Sequence, residues 1–329
     1  MRWILSAARK LKEQGVLGMN RRNAACILDH NPRRLFPLVD DKLLMRDLCL
    51  RIGVPTPAVY AILPSHSRLR LLPGLLGDHE DFVLKPSCGS GGRGILVLIG
   101  RQGEKFVRHN GERIDQDEIR QHASNILSGM YSLGGRPDRA ILQQRVRIHP
   151  ALAPVAYKGI PDVRVVLYRH RPAMAMLRLP TQASGGRANL HQGGIGAGVE
   201  LDSGRTIRAV QNNAMIERHP DTGADLHGVR IPFWSQILDM ARGVSSAVGL
   251  GYIGVDIVID AEQGPMLLEA NARPGLAIQL ANGRGLVPRL AEIDREVEAS
   301  GGHPVYCLPH GEAPSDLRRR HPARWRRSA

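Results

Sequence analysis

The segment 251–275 limits the possible folds of this chain more than any other part of its sequence. It contains two mainly apolar runs, residues 253–260 and 265–270, separated by a short polar turn. Runs of this length and composition predict a β-hairpin with two buried strands. If the hairpin closes through the four residues between the runs, Asp256 pairs with Glu269.

Two carboxylates that face each other across buried strands need a cation between them. Directly opposed residues have Cβ atoms about 4.5–5.5 Å apart, and like charges there destabilise the sheet. Asn271 lies two residues beyond Glu269 and therefore on the same face. We interpret these three oxygen ligands as a magnesium site that also holds phosphate, and expect the protein without metal to gain stability when Asp256 or Glu269 is removed. The alternative is a pair of edge carboxylates that face water.

Residues 88–94 form a glycine-rich stretch between two short predicted strands, 82–85 and 95–99. Glycine lets the backbone approach a ligand closely and lets successive N–H groups bind an anion. Lys85, at the end of the first strand, adds a point charge for a phosphate. Because no Gly-Lys-Ser/Thr triplet closes the stretch, it is not a Walker loop, and we interpret it as a flap over a nucleotide. A plain flexible hairpin is the alternative.

Two further groups of polar side chains are candidates for function. Asp162 and Arg164 are two positions apart on a predicted strand, so they share one face. A later loop offers a guanidinium, an amide and an imidazole from Arg187, Asn189 and His191. Taken alone, the first pair is typical of a surface salt bridge and the second group of a polar surface loop.

The charge balance favours an anionic partner. The chain has 45 Lys and Arg residues against 31 Asp and Glu residues, a formal net charge of +14. Such a surface attracts nucleotides, nucleic acid and acidic substrates. Aromatic residues make up only 4% of the chain, too few for a stacking platform, so nucleic-acid binding is the less favoured alternative.

Other compositional features exclude several classes of protein. An apolar content of 43% rules out a disordered or fibrous chain, and no run of 18 apolar residues predicts a transmembrane helix. The four cysteines, at positions 26, 49, 88 and 307, lack zinc-finger spacing. With no secretory signal recognised at the N-terminus, we expect a reduced, cytoplasmic protein.

Periodicity and turn residues predict several more elements. Helices are expected over residues 40–51, 116–130 and 232–248, where apolar positions recur at helical spacing. Further strands are expected over the ranges 140–146, 163–168 and 173–179.

In this order, the motifs resemble the ATP-grasp superfamily, and most closely its RimK-type alpha-L-glutamate ligases. The resemblance covers about residues 38–290. It rests on Asp41-Lys42, the segment 83–86, the loop 89–94, Leu142-Gln143-Gln144, Asp162-Val163-Arg164, the segment 189–194, Gly254-Val255-Asp256 and the segment 268–275, which includes Arg273.

The resemblance implies an α+β fold of the ATP-grasp type, with a nucleotide held between two α+β subdomains built on antiparallel sheets. We expect a short N-terminal helical region at 1–78, a small subdomain with the flap at 79–145 and a large subdomain with the metal site at 146–300. A basic, disordered tail is expected at 301–329. The N-terminal region is shorter than in most members of the superfamily.

The resemblance also implies a role for each matching residue. The predicted contacts to ATP come from Lys42, Lys85, Ser90, Gly91, Gly92, Gly94, Gln143, Gln144 and Asp162. Asp256, Glu269 and Asn271 would hold one or two magnesium or manganese ions. The transferred phosphoryl group and its acceptor would be stabilised by Arg164, Arg178, Arg187 and Asn189.

The implied function is an ATP- and magnesium-dependent carboxylate–amine ligase, which is an ADP-forming enzyme. A carboxylate attacks the γ-phosphate of ATP, and an amine then displaces phosphate from the acyl phosphate to leave an amide. The basic surface favours glutamate or an acidic peptide as substrate, with no specific nucleic acid as partner. The alternatives are a ligase for a neutral amino acid or dipeptide, a nucleic-acid-binding protein and an inactive scaffold of the same fold.

Overall fold

Two antiparallel β-sheets, one of six strands and one of seven, form the framework of the protein. The computed structural model describes residues 9–89 and 91–301. Ser90 and residues 302–329 of the predicted basic tail lie outside the described residues, so their expected roles stay predictions.

The six-stranded sheet carries the predicted glycine-rich hairpin. The prediction of antiparallel strands on either side of the glycines is confirmed, because Val83 pairs with Val97. The strands are β1 (Val59–Leu63), β2 (Phe82–Pro86), β3 (Leu96–Gln102), β4 (Lys105–Arg108), β5 (Arg113–Ile114) and β6 (Ala140–Gln143), in the order β1-β6-β2-β3-β4-β5.

The seven-stranded sheet carries the predicted carboxylate hairpin. Its strands are β7 (Asp162–Tyr168), β8 (Arg171–Leu179), β9 (Ile195–Val199), β10 (Thr206–Gln211), β11 (Ala214–Ile216), β12 (Tyr252–Asp260) and β13 (Gly264–Asn271), in the order β11-β10-β9-β8-β7-β12-β13. The predicted hairpin of β7 and β8 is confirmed. Its turn residues Arg169 and His170 have φ angles of 48° and 65°, which a tight two-residue hairpin requires.

Helices lie before, between and after the strands. The α-helices are α1 (Met19–Arg21), α2 (Pro37–Asp40), α3 (Lys42–Arg51), α4 (Leu72–Gly77), α5 (Gln116–Leu127), α6 (Trp234–Val248), α7 (Ile278–Asn282) and α8 (Val287–Ala299). Residues 9–13 are also helical. One π-helix spans Arg22–Leu28, and 3₁₀ turns span Arg33–Leu35, His66–Leu71, Leu133–Gly135, Pro150–Val155 and Leu190–Gln192. Within the described part of the chain, every helix is too short or too polar to cross a bilayer.

The N-terminal region is divided between two hydrophobic cores. Residues such as Leu17, Cys49 and Val54 belong to the core of the seven-stranded sheet. Leu63 and Leu72 belong to the core of the six-stranded sheet. The helical region predicted over 1–78 therefore contributes to both layers, and it also supplies β1 to a sheet.

The β12–β13 hairpin has the predicted pairing of Asp256 with Glu269, but its turn differs from the prediction. Its turn is one residue shorter than expected, since Asp260 pairs with Gly264. A β-bulge at Leu268 then adds one residue to β13, so Asp256 still pairs with Glu269. The predicted pairing of the two carboxylates is confirmed, although the turn that led to it was wrong by one position.

Asn31 fastens the N-terminal segment to the central strands. Its side-chain amide donates to the carbonyl oxygens of Tyr252 (2.6 Å) and Ala272 (3.0 Å), and its carbonyl accepts from the Tyr252 N–H (2.9 Å). The side chain is only 3% exposed, so water cannot replace these partners.

Asn31→Ala is expected to lower the free energy of unfolding by about 2–4 kcal/mol, because it leaves three buried backbone groups without partners. Urea denaturation measures this. Asn20→Ala is the matched control, because Asn20 is exposed in α1. Equal midpoints for the two variants would contradict the role of Asn31.

Candidate active site

A cleft lies between the two sheets and brings predicted residues together. Lys42 from α3, Lys85 from β2 and Gln143 from β6 line it on one side. Glu269 from β13 lines it on the other. Four residues predicted for ATP and metal therefore share one cavity, although they are up to 227 positions apart in the chain.

Lys85 is held almost without water at the end of β2. Its relative exposure is 6%. Burial lowers the pKa of Lys85 to about 7, and the neighbouring Lys42 adds to the decrease, whereas Glu269 opposes it. A polyphosphate in the cleft would restore the charge of this lysine, as expected of a phosphate-binding residue.

Lys42 is positioned by a helix cap that sequence reasoning missed. Asp41 accepts a hydrogen bond from the N–H of Leu43 (2.9 Å) and so starts α3 at Lys42. Asp41 also accepts from Ser87 Oγ (2.6 Å) and forms an ion pair with Arg139. The Asp41-Lys42 pair in the sequence was the signal, because an acidic residue before a helix is typical of an N-cap.

The base of the glycine-rich flap is fixed by a second carboxylate that the sequence analysis did not single out. Asp138 accepts hydrogen bonds from the N–H groups of Cys88 (2.9 Å) and Arg139 (2.7 Å) and from Ser132 Oγ (2.6 Å). Lys42 Nζ donates to the carbonyl of Gly89 at 2.7 Å. The flap thus begins at a point that is bonded to a predicted ATP-binding lysine.

Asp256 lies at the centre of an ion-pair network. Its carboxylate is fully buried and accepts from Arg164 Nε (2.6 Å) and Nη2 (2.5 Å) and from Arg178 Nη2 (2.7 Å). Burial alone would raise the pKa of Asp256, but the two guanidinium groups outweigh it and lower the pKa to about 2. The cations beside this carboxylate are therefore arginines from β7 and β8. The expectation that removing Asp256 stabilises the protein without metal assumed facing carboxylates without a cation, and these ion pairs contradict that assumption.

Asp162 lies behind this network. Its side chain is 5% exposed and accepts from Arg178 Nε at 2.5 Å. Burial raises the pKa of Asp162 and the nearby Asp256 adds to the increase, whereas Arg178 opposes it. The structure supports a role in positioning Arg178 better than the predicted contact to the cofactor.

The candidate metal ligands face each other as the sequence predicts. Asn271 Nδ2 lies 3.4 Å from Asp256 Oδ2 and 3.5 Å from Glu269 Oε1, so the amide stands between the two carboxylates. Turning this amide would place its oxygen there, giving three oxygen donors of the kind that magnesium prefers, with Asp256 shared between the metal and the two arginines. Within residues 9–89 and 91–301, no three His, Cys, Asp or Glu side chains form a metal-binding cluster, so phosphate oxygens would have to complete the coordination.

The flap meets the loop that contains the predicted acceptor residues. The carbonyl of Gly91 accepts from Gln192 Nε2 at 3.2 Å. A Cβ at Gly92 would lie 3.4 Å from Arg187 Cδ, so these residues are in contact. Asn189 has a local role here, because its Oδ1 accepts from the N–H of His191 at 3.0 Å.

The remaining predicted residues lie at the margins of the site. A Cβ at Gly94 would lie 2.5 Å from the Tyr131 ring, so only glycine fits there. Gln144 Oε1 accepts from the N–H of Ala58 at 3.1 Å at the predicted hinge. Arg273 stacks over the ring of Phe36, with 4.7 Å between its guanidinium carbon and the ring centroid.

Comparison with solved structures gives distant likenesses. The ATP-grasp ligase PsnB, complexed with a minimal precursor, is 15% identical over 82% of this chain and 63% of its own, with a TM-score of 0.44. The RimK domain ATP-grasp protein from Sphaerobacter thermophilus is 13% identical over 80% and 70%, with a TM-score of 0.45. D-alanine–D-alanine ligase from Bacillus anthracis is 12% identical over 82% and 71%, also with a TM-score of 0.45. This chain thus spans less than two thirds of the length of PsnB. No curated protein sequence matches it.

The two sheets, the flap and the cleft between them define an ATP-grasp protein. A family model described as sugar-transfer associated ATP-grasp matches residues 21–295, and the chain belongs to this family. The superfamily and the α+β fold predicted from the motifs are thereby confirmed.

Asp256→Ala is expected to lower the free energy of unfolding by about 3–5 kcal/mol, because it leaves Arg164 and Arg178 buried without their shared carboxylate. Denaturation in EDTA measures this. Glu269→Ala is the matched control on the partner strand and should change the stability by less than about 1 kcal/mol. An Asp256→Ala protein as stable as the wild type would contradict the network.

Lys85→Met is expected to stabilise the protein without nucleotide by about 2–4 kcal/mol at pH 7, because it removes a buried ammonium group. Lys85 binds a proton more weakly in the folded chain than in the unfolded chain. The wild type should therefore gain stability relative to Lys85→Met as the pH rises from 7 to 10. Denaturation of both proteins in EDTA across that range measures this, and parallel pH profiles would show that Lys85 is hydrated.

Proposed function

We propose that the protein is an ATP- and magnesium-dependent, ADP-forming carboxylate–amine ligase. The pairing of Asp256 with Glu269 carries the proposal, because it places oxygen ligands beside a cleft that also contains Lys42 and Lys85. Family membership supports the use of ATP. Lys42 and Lys85 would bind the phosphates, with the flap above them.

The side chains suit phosphoryl transfer, which requires positioning and charge neutralisation rather than a protein nucleophile. A substrate carboxylate oxygen attacks the γ-phosphorus, the bond to the β-phosphate oxygen breaks, and ADP leaves. Arg164 and Arg178 are fixed by Asp256 and can stabilise the transferred group. An amine nitrogen then attacks the acyl carbon, phosphate leaves with the electron pair, and the amine loses a proton.

Magnesium bound by Asp256, Glu269 and Asn271 would neutralise charge on the phosphate oxygens. One or two ions, or manganese in their place, suit the same donor set. Two carboxylates and one amide fill only part of the coordination shell of magnesium, so positions remain for phosphate oxygens.

The proposed substrate is glutamate or another acidic molecule, because the chain carries a net charge of +14 and Arg187 stands exposed next to the flap. The family description also associates these proteins with sugar transfer, so a sugar acid belongs among the molecules to test. Neutral amino acids are the contrasting class.

Phosphate release from magnesium ATP should appear only when a carboxylate substrate is present, and ADP and phosphate should form in step with an amide product. The test screens amino acids, acidic dipeptides and sugar acids, alone and in pairs with amines, with mass spectrometry of the products. Asp256→Asn is the inactive control. Release of AMP and pyrophosphate would contradict the acyl-phosphate route.

A further inference from the structure

Four basic side chains converge where the six-stranded sheet approaches the seven-stranded sheet. Arg108 ends β4, His109 follows it, Lys158 lies before β7, and Arg187 lies in the loop between β8 and β9. Burial lowers the pKa of His109, and the positive charges of Arg108, Arg187 and Lys158 lower it further, whereas a hydrogen bond with the Gly185 backbone opposes the decrease. The positive charge of the group therefore comes from the two arginines and the lysine. We call these four residues the cationic cluster.

The backbone holds the cluster together. Segments 158–159 and 185–186 touch directly, because a Cβ on Gly159 would lie 1.9 Å from the Gly186 carbonyl oxygen. A Cβ on Gly186 would lie 2.7 Å from the Lys158 carbonyl oxygen and 3.6 Å from the His109 ring. Two glycines are therefore required for this approach, which is too close for any other residue.

Lys158 adopts an unfavourable backbone conformation at this contact. Its φ angle is 48°, in the left-handed region that is unfavourable for a residue with a Cβ. Strain of this kind persists where the surroundings fix the chain, and it often accompanies a functional site. Here it orders the backbone beneath a lysine whose side chain remains exposed.

The charges of the cluster are only partly compensated. Glu112 Oε2 accepts from Arg108 Nη1 at 2.5 Å. Among the residues that the structure describes, no carboxylate forms an ion pair with Lys158 or Arg187. Arg108 Nε and His109 Nδ1 are buried without a hydrogen-bond partner. Like charges held together in this way favour binding of an anion.

The cluster is separate from the phosphate-binding lysines. Lys42 and Lys85 line the cleft between the sheets, whereas none of the four cluster residues lines it. The flap connects the two centres, because Gly89 is bonded to Lys42 and Gly92 touches Arg187. The flap therefore lies between the two lysines and the cationic cluster.

We propose that the cationic cluster binds a carboxylate of the amine substrate. This carboxylate is not the group that is phosphorylated. The proposal rests on the proposed ligase function and adds the position at which the acidic group is recognised. Arg187 can bind a carboxylate through two parallel hydrogen bonds, and Lys158 can add a point charge. The result is selection for acidic over neutral amine substrates at a distance from the reacting groups.

Calorimetry with the full chain tests this site. Glutamate and glutamyl-glutamate are titrated into protein saturated with magnesium and a non-hydrolysable ATP analogue, and glutamine and glutaminyl-glutamine serve as neutral counterparts. At least one acid should bind tenfold more tightly than its counterpart. Lys158→Gln should lower the affinity for that acid about fivefold to tenfold and leave the affinity for the ATP analogue unchanged. Lys105→Gln, an exposed lysine on β4, is the matched control.

The outcomes separate this site from the proposed function. If Lys158→Gln weakens the binding of the ATP analogue instead, the cluster serves the nucleotide and the proposal is overturned. The same conclusion follows if inorganic phosphate competes with the analogue and not with the acid. If no acid binds better than its neutral counterpart, the proposal also fails, even where a neutral substrate supports ATP turnover. Lys158-dependent acid binding without any ATP turnover would support the site and contradict the ligase. Arg187→Lys should reproduce the loss, because lysine cannot form the two parallel hydrogen bonds.

Discussion

The site depends on the ion pairs between Asp256 and the arginines of the two neighbouring strands. A buried carboxylate without a cation would be costly, and buried guanidinium groups without a carboxylate would be equally so. Arg164 and Arg178 form ion pairs with Asp256, so neither the carboxylate nor the guanidinium groups are buried without a partner. Asp162 also accepts a hydrogen bond from Arg178. The network thus fixes two guanidinium groups within the sheet without any metal.

Local patterns in the sequence predicted the two hairpins that carry the site. The apolar runs around Asp256 and Glu269 predicted the hairpin, but their exact pairing was obtained only because the bulge offset the error in the turn. The bulge at Leu268 could not be predicted, since it compensates for a turn one residue shorter than expected. Charge partners were also missed, because the contact between Arg178 and Asp256 joins positions 78 apart on strands whose pairing order is a property of the whole sheet.

Positions that organise the flap were harder to recognise than positions that line the cleft. Lys85 and the glycines stand out because their chemistry is unusual for a strand end and a turn. Asp138 resembles any polar loop residue until Cys88 and Ser132 are seen to share its carboxylate. The cationic cluster combines three chain segments, and its members look like ordinary surface charges when each is considered alone.

The anchoring of the N-terminal segment has a consequence for biosynthesis. Asn31 binds a strand that lies 221 residues further along the chain, and the N–H of Leu17 donates to Gln279, 262 residues away. While the ribosome is still adding β12 and α7, these early residues have no partners, and Cys26, Cys49 and the apolar side chains around them are exposed. The beginning of the chain therefore completes its packing only after most of the chain has been made, because these contacts join residues that are far apart in the sequence.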